Sequence, residues 1–357
     1  MKKIICIYHS RDLDGWMSAA IVKKWFINNN SEDYSLEDLN TQRNVGRHRT
    51  ISKEIYTDIN YKIPQLHFLG WDYGDEIPNL SEYDKVIMCD VSFPKEEMYS
   101  IANTVKVVWI DHHKSAITEI DGYTIKDEYK LDGLRDTKFA ACELTWKYYF
   151  PNEEMPEIVR LLGRYDCFGH KGTDEEQKVL EFQYGARQII SNYEEAYQYL
   201  SLYFENDFKE EGNGLVNEIL IKGKSIYQYL CTEAKGIYKK AFPIWLTDFT
   251  YTEDKKLVHH QVPFLCVNQE RFNPINFGID YHKDINKGNK EEFTSDLNYD
   301  GFACFWYKDG KWMWSLYNDN GQVDCSLIAK QYGGGGHKGA SGFVCDNETM
   351  LNIINSK

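Results

Sequence analysis

The sequence is short of positive charge. It carries 41 Lys and Arg against 55 Asp and Glu, for a formal net charge of −14. Proteins that grip long nucleic acid displace counterions with a basic stripe. The bulk charge therefore argues against a long duplex as partner. Paired-cysteine motifs are also missing: no two of the nine cysteines have CxxC spacing, so a thiolate zinc site is not expected. Their odd number, scattered through apolar runs, reads as buried free thiols in a reducing compartment. No apolar run reaches membrane-spanning length. The amino terminus passes directly into a short strand, Ile4–Tyr8, with no signal-peptide pattern. Internal repeats and low-complexity tracts are absent too. These absences predict a soluble, cytoplasmic protein with no membrane partner.

What is present is a chain of 357 residues, 42 % of them apolar. That length predicts two domains. In the first half, short apolar runs (Ile4–Tyr8, Leu66–Trp71, Val86–Cys89, Val105–Ile110) alternate with helical patterns at Ser18–Phe26, Ala140–Phe150 and Ile158–Leu162. Such alternation predicts an α/β fold with a doubly wound, mainly parallel sheet. We expect this domain over residues 1–190 and a helical connector over 191–240. A smaller C-terminal α/β domain is expected over 241–357, with strands at Ile244–Thr252, Val262–Asn268, Gly301–Lys308 and Lys311–Leu316. Val323–Tyr332 reads as a helix, and the charged stretch Tyr281–Thr294 as a solvated loop or hairpin.

Four polar clusters follow apolar elements. They are His9-Ser-Arg-Asp12-Leu-Asp14-Gly15, Asp90, Asp111-His112-His113, and Asp166 within Gly163-Arg-Tyr-Asp166. Ligands of parallel sheets gather at the carboxyl ends of the strands, where the first three clusters fall. A lone Asp or His at such a place is ordinarily a turn or cap residue. Carboxylates gathered together repel unless a cation compensates them. Oxygen plus imidazole, with no thiolate, favours manganese, iron, cobalt or magnesium. The set is large enough for two ions, which could clamp both oxygens of a phosphoryl displacement. A fifth cluster, Gly333-Gly-Gly-Gly-His337-Lys338, exceeds what a helix C-cap needs. Backbone bared at Gly334, Gly335 and Gly336, with His337 and Lys338 beside it, suits a phosphate.

Taken together, these motifs resemble the DHH phosphoesterases, named for the triplet found here at Asp111-His112-His113. The C-terminal run is similar to the DHH-associated domain, with Trp314-Ser-Leu-Tyr317 before it and Lys338-Gly-Ala-Ser-Gly342 after it. The resemblance implies an active site in the cleft between two domains and two divalent metal ions, most often manganese. It implies His9, Asp12, Asp90 and Asp166 around one ion, and Asp14, Asp90, His112 and Asp166 around the other. Asp111 would orient a neighbouring imidazole, and His113 would face the phosphate. Asp90, Asp111 and His113 form the implied catalytic set. The implied substrate-binding set is Gly334, Gly335, Gly336, His337, Lys338, Ser315, Tyr317 and Arg164. Two departures stand out. Only Ser10 and Arg11 separate His9 from Asp12, one residue fewer than in oligoribonuclease-like members, and Tyr317 occupies a position where those members carry Arg.

The activity expected from these residues is metal-dependent hydrolysis of phosphodiester bonds in short or cyclic oligonucleotides. A phosphomonoesterase acting on pAp-like nucleotides and a catalytically inactive nucleotide sensor are the alternatives. A homodimer stays open as an assembly.

Overall fold

A computed structural model describes residues 3–29, 35–38, 65–121, 131–205, 214–251, 257–270, 272, 299–318 and 323–355. The stretch Tyr281–Thr294 lies outside the described residues. The chain forms two units that divide after Ile226.

The first unit is built on a parallel sheet. Its strands are β1 (Lys3–His9), β2 (Ser35–Asp38), β3 (Gln65–Trp71), β4 (Lys85–Cys89) and β5 (Lys106–Ile110), in the order β2-β3-β1-β4-β5. Every pairing is parallel. Parallel strands are covered on both faces and read as continuous apolar runs, and β1 shows why. Ile4, Cys6 and Tyr8 enter a core on one face, while Ile5 and Ile7 enter a second core on the other.

Helices α1 (Leu13–Asn29), α2 (Lys95–Ala102), α3 (Lys114–Asp121), α4 (Ala141–Tyr149), α5 (Glu157–Asp166), α6 (Glu176–Ile189) and α7 (Tyr193–Glu205) follow. Helix α1 begins at Leu13, ahead of the expected Ser18, because Asp12 Oδ1 accepts the Gly15 backbone N–H at 3.0 Å. That contact is an N-cap. Asp14 and Gly15 therefore lie in a first helical turn rather than in a free turn. The expected connector is shared: Tyr193, Ala196 and Leu200 of α7 are buried in the core around α1. Helix α8 (Gly214–Tyr238) runs across the division.

The second unit is a mixed sheet of β6 (Phe242–Tyr251), β7 (Leu257–Asn268), β8 (Gly301–Lys308), β9 (Lys311–Tyr317), β10 (Gly335–Gly336) and β11 (Ala340–Cys345). Its order is β10-β11-β9-β8-β7-β6, with only the β7–β8 pair parallel. Helices α9 (Cys325–Gln331) and α10 (Asn347–Asn355) supply Ile328, Ala329, Met350 and Ile353 to the core on one face. All nine cysteines are free, seven of them buried. No described helix is long and apolar enough to cross a membrane.

Candidate metal centre

Strand direction assembles the site. The chain leaves β1 toward β2 on one side and leaves β4 toward β5 on the other, so β1 and β4 flank a topological switch point. His9 ends β1, Asp90 follows β4, and Asp111 follows β5. Asp90 adopts φ 64°, a left-handed conformation uncommon for any residue with a Cβ. Its backbone N–H donates to Ile110 O at 2.9 Å. The strained turn seats a buried carboxylate, 1 % exposed, between two imidazoles.

The distances describe one connected cluster. His9 Nδ1 lies 2.8 Å from Asp12 Oδ2 and 3.5 Å from Asp90 Oδ2. His112 Nε2 lies 3.3 Å from Asp90 Oδ1, 3.2 Å from Asp166 Oδ2 and 3.7 Å from Asp14 Oδ2. Helix α4 aims its N-terminus at Asp14, whose two oxygens accept the backbone N–H groups of Ala141 at 2.9 Å and Cys142 at 2.7 Å. Helix N-termini favour negative charge, which fixes this carboxylate although it is buried. Gly15 packs α1 against the end of β1, where an added Cβ would sit 2.1 Å from the His9 carbonyl oxygen.

Asp111 behaves differently from the other carboxylates. Its Oδ1 accepts the backbone N–H groups of His112 (2.7 Å) and His113 (3.0 Å) and faces His113 Nδ1 at 2.7 Å. Its Oδ2 accepts the Trp109 indole N–H at 3.1 Å. A carboxylate receiving this many donors acts as an acceptor, so His113 carries its proton on Nδ1 and presents Nε2 as the basic nitrogen.

The residues fit divalent cations. Among the described residues, three groups bring ligand atoms within 4.8 Å of one another: His9, Asp12 and Asp90; Asp14, His112 and Asp166; and Asp90, His112 and His113. Asp90 Oδ1 is buried with no hydrogen bond, a costly state unless an ion completes it. The electrostatics agree. Burial opposes charge on His9, but contacts with Asp12 and Asp90 override it and raise its pKa to about 11. Burial likewise opposes charge on His112, and Asp166 and Asp90 push its pKa well above the ordinary value. Burial, then Asp90 and Asp166, raise the pKa of Asp14. The cluster draws in protons because it is short of positive charge, and divalent ions would meet the same demand.

Several expected residues lie elsewhere. Arg164 is engaged by buried Glu143, with Nε donating to Oε1 at 3.1 Å and Nη2 donating to Oε2. Glu143 Oε2 also accepts the Ala140 N–H at the start of α4, so the pair braces the helix that holds Asp14. In the second unit, Ser315 pairs across the sheet with Gly342, which pairs with Gly335. Tyr317 pairs with Ala340. His337 and Lys338 are exposed. Much of the glycine run answers to packing. Gly333 and Gly336 have positive φ, and a Cβ on Gly334 would lie 2.1 Å from Gly342 O. Gly335 alone of the four has open space together with an ordinary φ.

The sequence reading missed Asp72 and Tyr73. They follow β3 as the other clusters follow their strands, and that position was the signal. Asp72 Oδ1 lies 3.4 Å from His9 Nε2. The Tyr73 ring stands edge-on to both His9 and His113, with centroids 6.2 and 6.3 Å away. Desolvation, then the field of Asp111 and Asp90, keep its phenol protonated.

Residues 3–162 match the model of the DHH family, N-terminal domain. Residues 3–162 form a DHH-family domain. The resemblance carried by the motifs within these residues holds, and with it the reading of a phosphoesterase, a hydrolase. It is 24 % identical to the uncharacterized protein R106 of Acanthamoeba polyphaga mimivirus over 347 residues, covering 95 % of this chain and 67 % of that one. Solved structures of similar outline include a pGpG-specific phosphodiesterase, PggH, from Vibrio cholerae, with 11 % identity, 99 % and 96 % of the two chains covered, and TM-score 0.42. Another is an exopolyphosphatase-related protein from Bacteroides fragilis, with 15 % identity, 99 % and 90 % covered, and TM-score 0.40.

Proposed function

We propose that this DHH-domain enzyme is a phosphodiesterase that hydrolyses short or cyclic oligonucleotides with two divalent metal ions, manganese being the favoured one. One observation carries the reading: the Asp90 carboxylate belongs to two of the three ligand groups. Shared ligands are what a pair of neighbouring ions requires. His9, Asp12 and Asp90 would hold one ion, and Asp14, Asp90, His112 and Asp166 the other. Bound there, the ions would supply an acidified water and neutralise charge developing on the phosphoryl oxygens.

The remaining steps belong to the chain. Asp111 fixes the ring of His113 and its tautomer. Nε2 of His113 would first accept the proton released by the attacking water and then return it to the departing oxygen as the phosphorus–oxygen bond breaks. Buried Trp109 keeps bulk water from the back of Asp111. The net charge of −14 favours short substrates over long strands. The Gly335 edge, with Ser315, Tyr317, His337 and Lys338, would bind a phosphate or sugar of the substrate. Nine free thiols suit a reducing cytoplasm.

The test is hydrolysis of a dinucleotide panel with manganese, with products resolved by mass. Mononucleotide release is expected from the wild type and not from Asp90→Ala. Release of inorganic phosphate alone would replace this reading with a phosphomonoesterase.

A further inference from the structure

The metal cluster explains four carboxylates, and Asp111 holds His113, but Asp72 and Arg11 are left without a role. Asp72 sits in a turn tied at several points. Its N–H donates to Asp75 Oδ2 at 3.1 Å, its carbonyl accepts the Asp75 N–H at 2.9 Å, and its Oδ1 accepts the Tyr73 N–H at 2.9 Å. The held carboxylate faces two ways. Oδ1 lies 3.4 Å from His9 Nε2, the ring nitrogen opposite the one that faces Asp12 and Asp90. Oδ2 accepts from Arg11 Nε at 2.5 Å. The Asp72 side chain is 22 % exposed and that of Arg11 is 71 % exposed.

We infer that Asp72 is a positioning residue for His9 and that the Arg11 it holds is a phosphate contact at the mouth of the metal centre. The inference deepens the function proposed above and rests on it for the identity of the substrate.

An imidazole ligand with its second nitrogen beside a carboxylate is fixed in ring orientation and made more basic, and losing that carboxylate weakens metal binding by 10–100-fold. His9 has this arrangement, with Nδ1 inward and Nε2 toward Asp72. Charge points the same way. The centre converges on Asp12, Asp14, Asp90 and Asp166, whose charge would offset that of two divalent ions and leave little net attraction for an anionic substrate. Arg164 cannot add to it, since it is committed to Glu143. Arg11 is one carboxylate away from His9. Engaging only Nε leaves the two terminal amino groups of the guanidinium with their N–H donors, the fork that matches a phosphate. Arg11 would thus do near the metal centre what Tyr317 cannot do in the second unit.

The experiment compares wild type, Asp72→Asn, Arg11→Gln and Arg11→Lys. Manganese affinity is measured calorimetrically, together with the electron paramagnetic resonance spectrum of bound manganese. Inorganic-phosphate binding to the manganese-loaded protein, and kcat and KM on a 5′-phosphorylated dinucleotide, complete the set. Melting curves of the metal-free proteins serve as the folding control. Asp72→Asn should lose about 10–100-fold in affinity for at least one manganese ion, with a changed spectrum and an unchanged metal-free melt. Arg11→Gln should bind manganese as wild type does but lose roughly 10-fold or more in phosphate affinity, with KM raised by a similar factor and kcat little altered. Arg11→Lys should recover only part of that loss.

Wild-type manganese affinity in Asp72→Asn overturns the positioning role. Wild-type phosphate affinity in Arg11→Gln overturns the contact. If the wild type binds manganese and phosphate yet hydrolyses no dinucleotide, the substrate reading fails, while the metal and phosphate measurements still decide on Asp72 and Arg11.

Discussion

At the scale of single residues, the carboxylates divide by what they accept. Asp111 is satisfied by the Trp109 indole, two backbone N–H groups and the His113 ring. Asp90 retains a buried oxygen with no hydrogen bond. The division predicts different phenotypes. Asp90→Ala should abolish manganese binding and lower turnover by at least about 10³-fold. Asp111→Asn should keep manganese affinity within a few fold while kcat falls by about 10²–10⁴-fold, since an amide can hold the His113 ring in the wrong tautomer. Calorimetry beside steady-state kinetics separates the two. Proton uptake adds a third expectation. The metal-free protein holds a proton on His9, whose pKa is raised to about 11. Manganese must displace it, so affinity rises with pH and binding releases protons. Calorimetry in buffers of different ionisation enthalpy reads that release directly; a release near zero would contradict the ligand role of His9. The same shift stabilises the metal-free fold. That contribution is complete below the unfolded pKa of about 6.5 and is lost as pH rises toward 11.

At the scale of elements, the apolar runs announced the strands plainly, because parallel strands are buried on both faces. The order β2-β3-β1-β4-β5 was not legible, since it depends on contacts among residues far apart in the chain. His9, Asp90 and Asp111-His112-His113 could be placed because each abuts a strand end. Asp14 was harder to read: next to Gly15 it looks like a turn, and only the Asp12 cap and the N-terminus of α4 put it in a helix facing the site. Asp72 lacked a second polar ligand type beside it, so no cluster marked it. Arg164 sat beside Asp166 in the chain, but helical periodicity turns neighbouring residues apart. Close packing yields a prediction here. Gly15→Ala should drive its methyl group into the His9 carbonyl, destabilise the protein by about 1–3 kcal/mol and weaken manganese binding by shifting His9. Thermal melting with and without manganese shows both effects, and a smaller manganese-induced stabilisation than in wild type is the expected signature.

At the scale of the molecule, every proposed metal ligand lies before the division at Ile226. A fragment of residues 1–226 that folds should bind manganese with affinity close to that of the full chain, and calorimetry on the two checks it. Substrate affinity should fall in the fragment if the Gly335 edge takes part in binding. Charge acts at this scale too. A net charge of −14 predicts that log kcat/KM on a dinucleotide falls with log salt with a slope smaller in size than about 2, because few phosphates are neutralised. A steep slope would indicate a long-strand substrate.

The left-handed backbone at Asp90 restricts which residues evolution or an engineer can place there. The turn from β4 tolerates glycine, asparagine and aspartate best, and only the last of these brings a charge. Glutamate, equally able to ligate, would have to adopt a conformation it disfavours and extend a longer arm into a closed space. The backbone thus narrows the permissible alphabet at this position to one ionisable letter. Asparagine is the informative substitute: it should keep the turn and the fold while removing the charge the ions require.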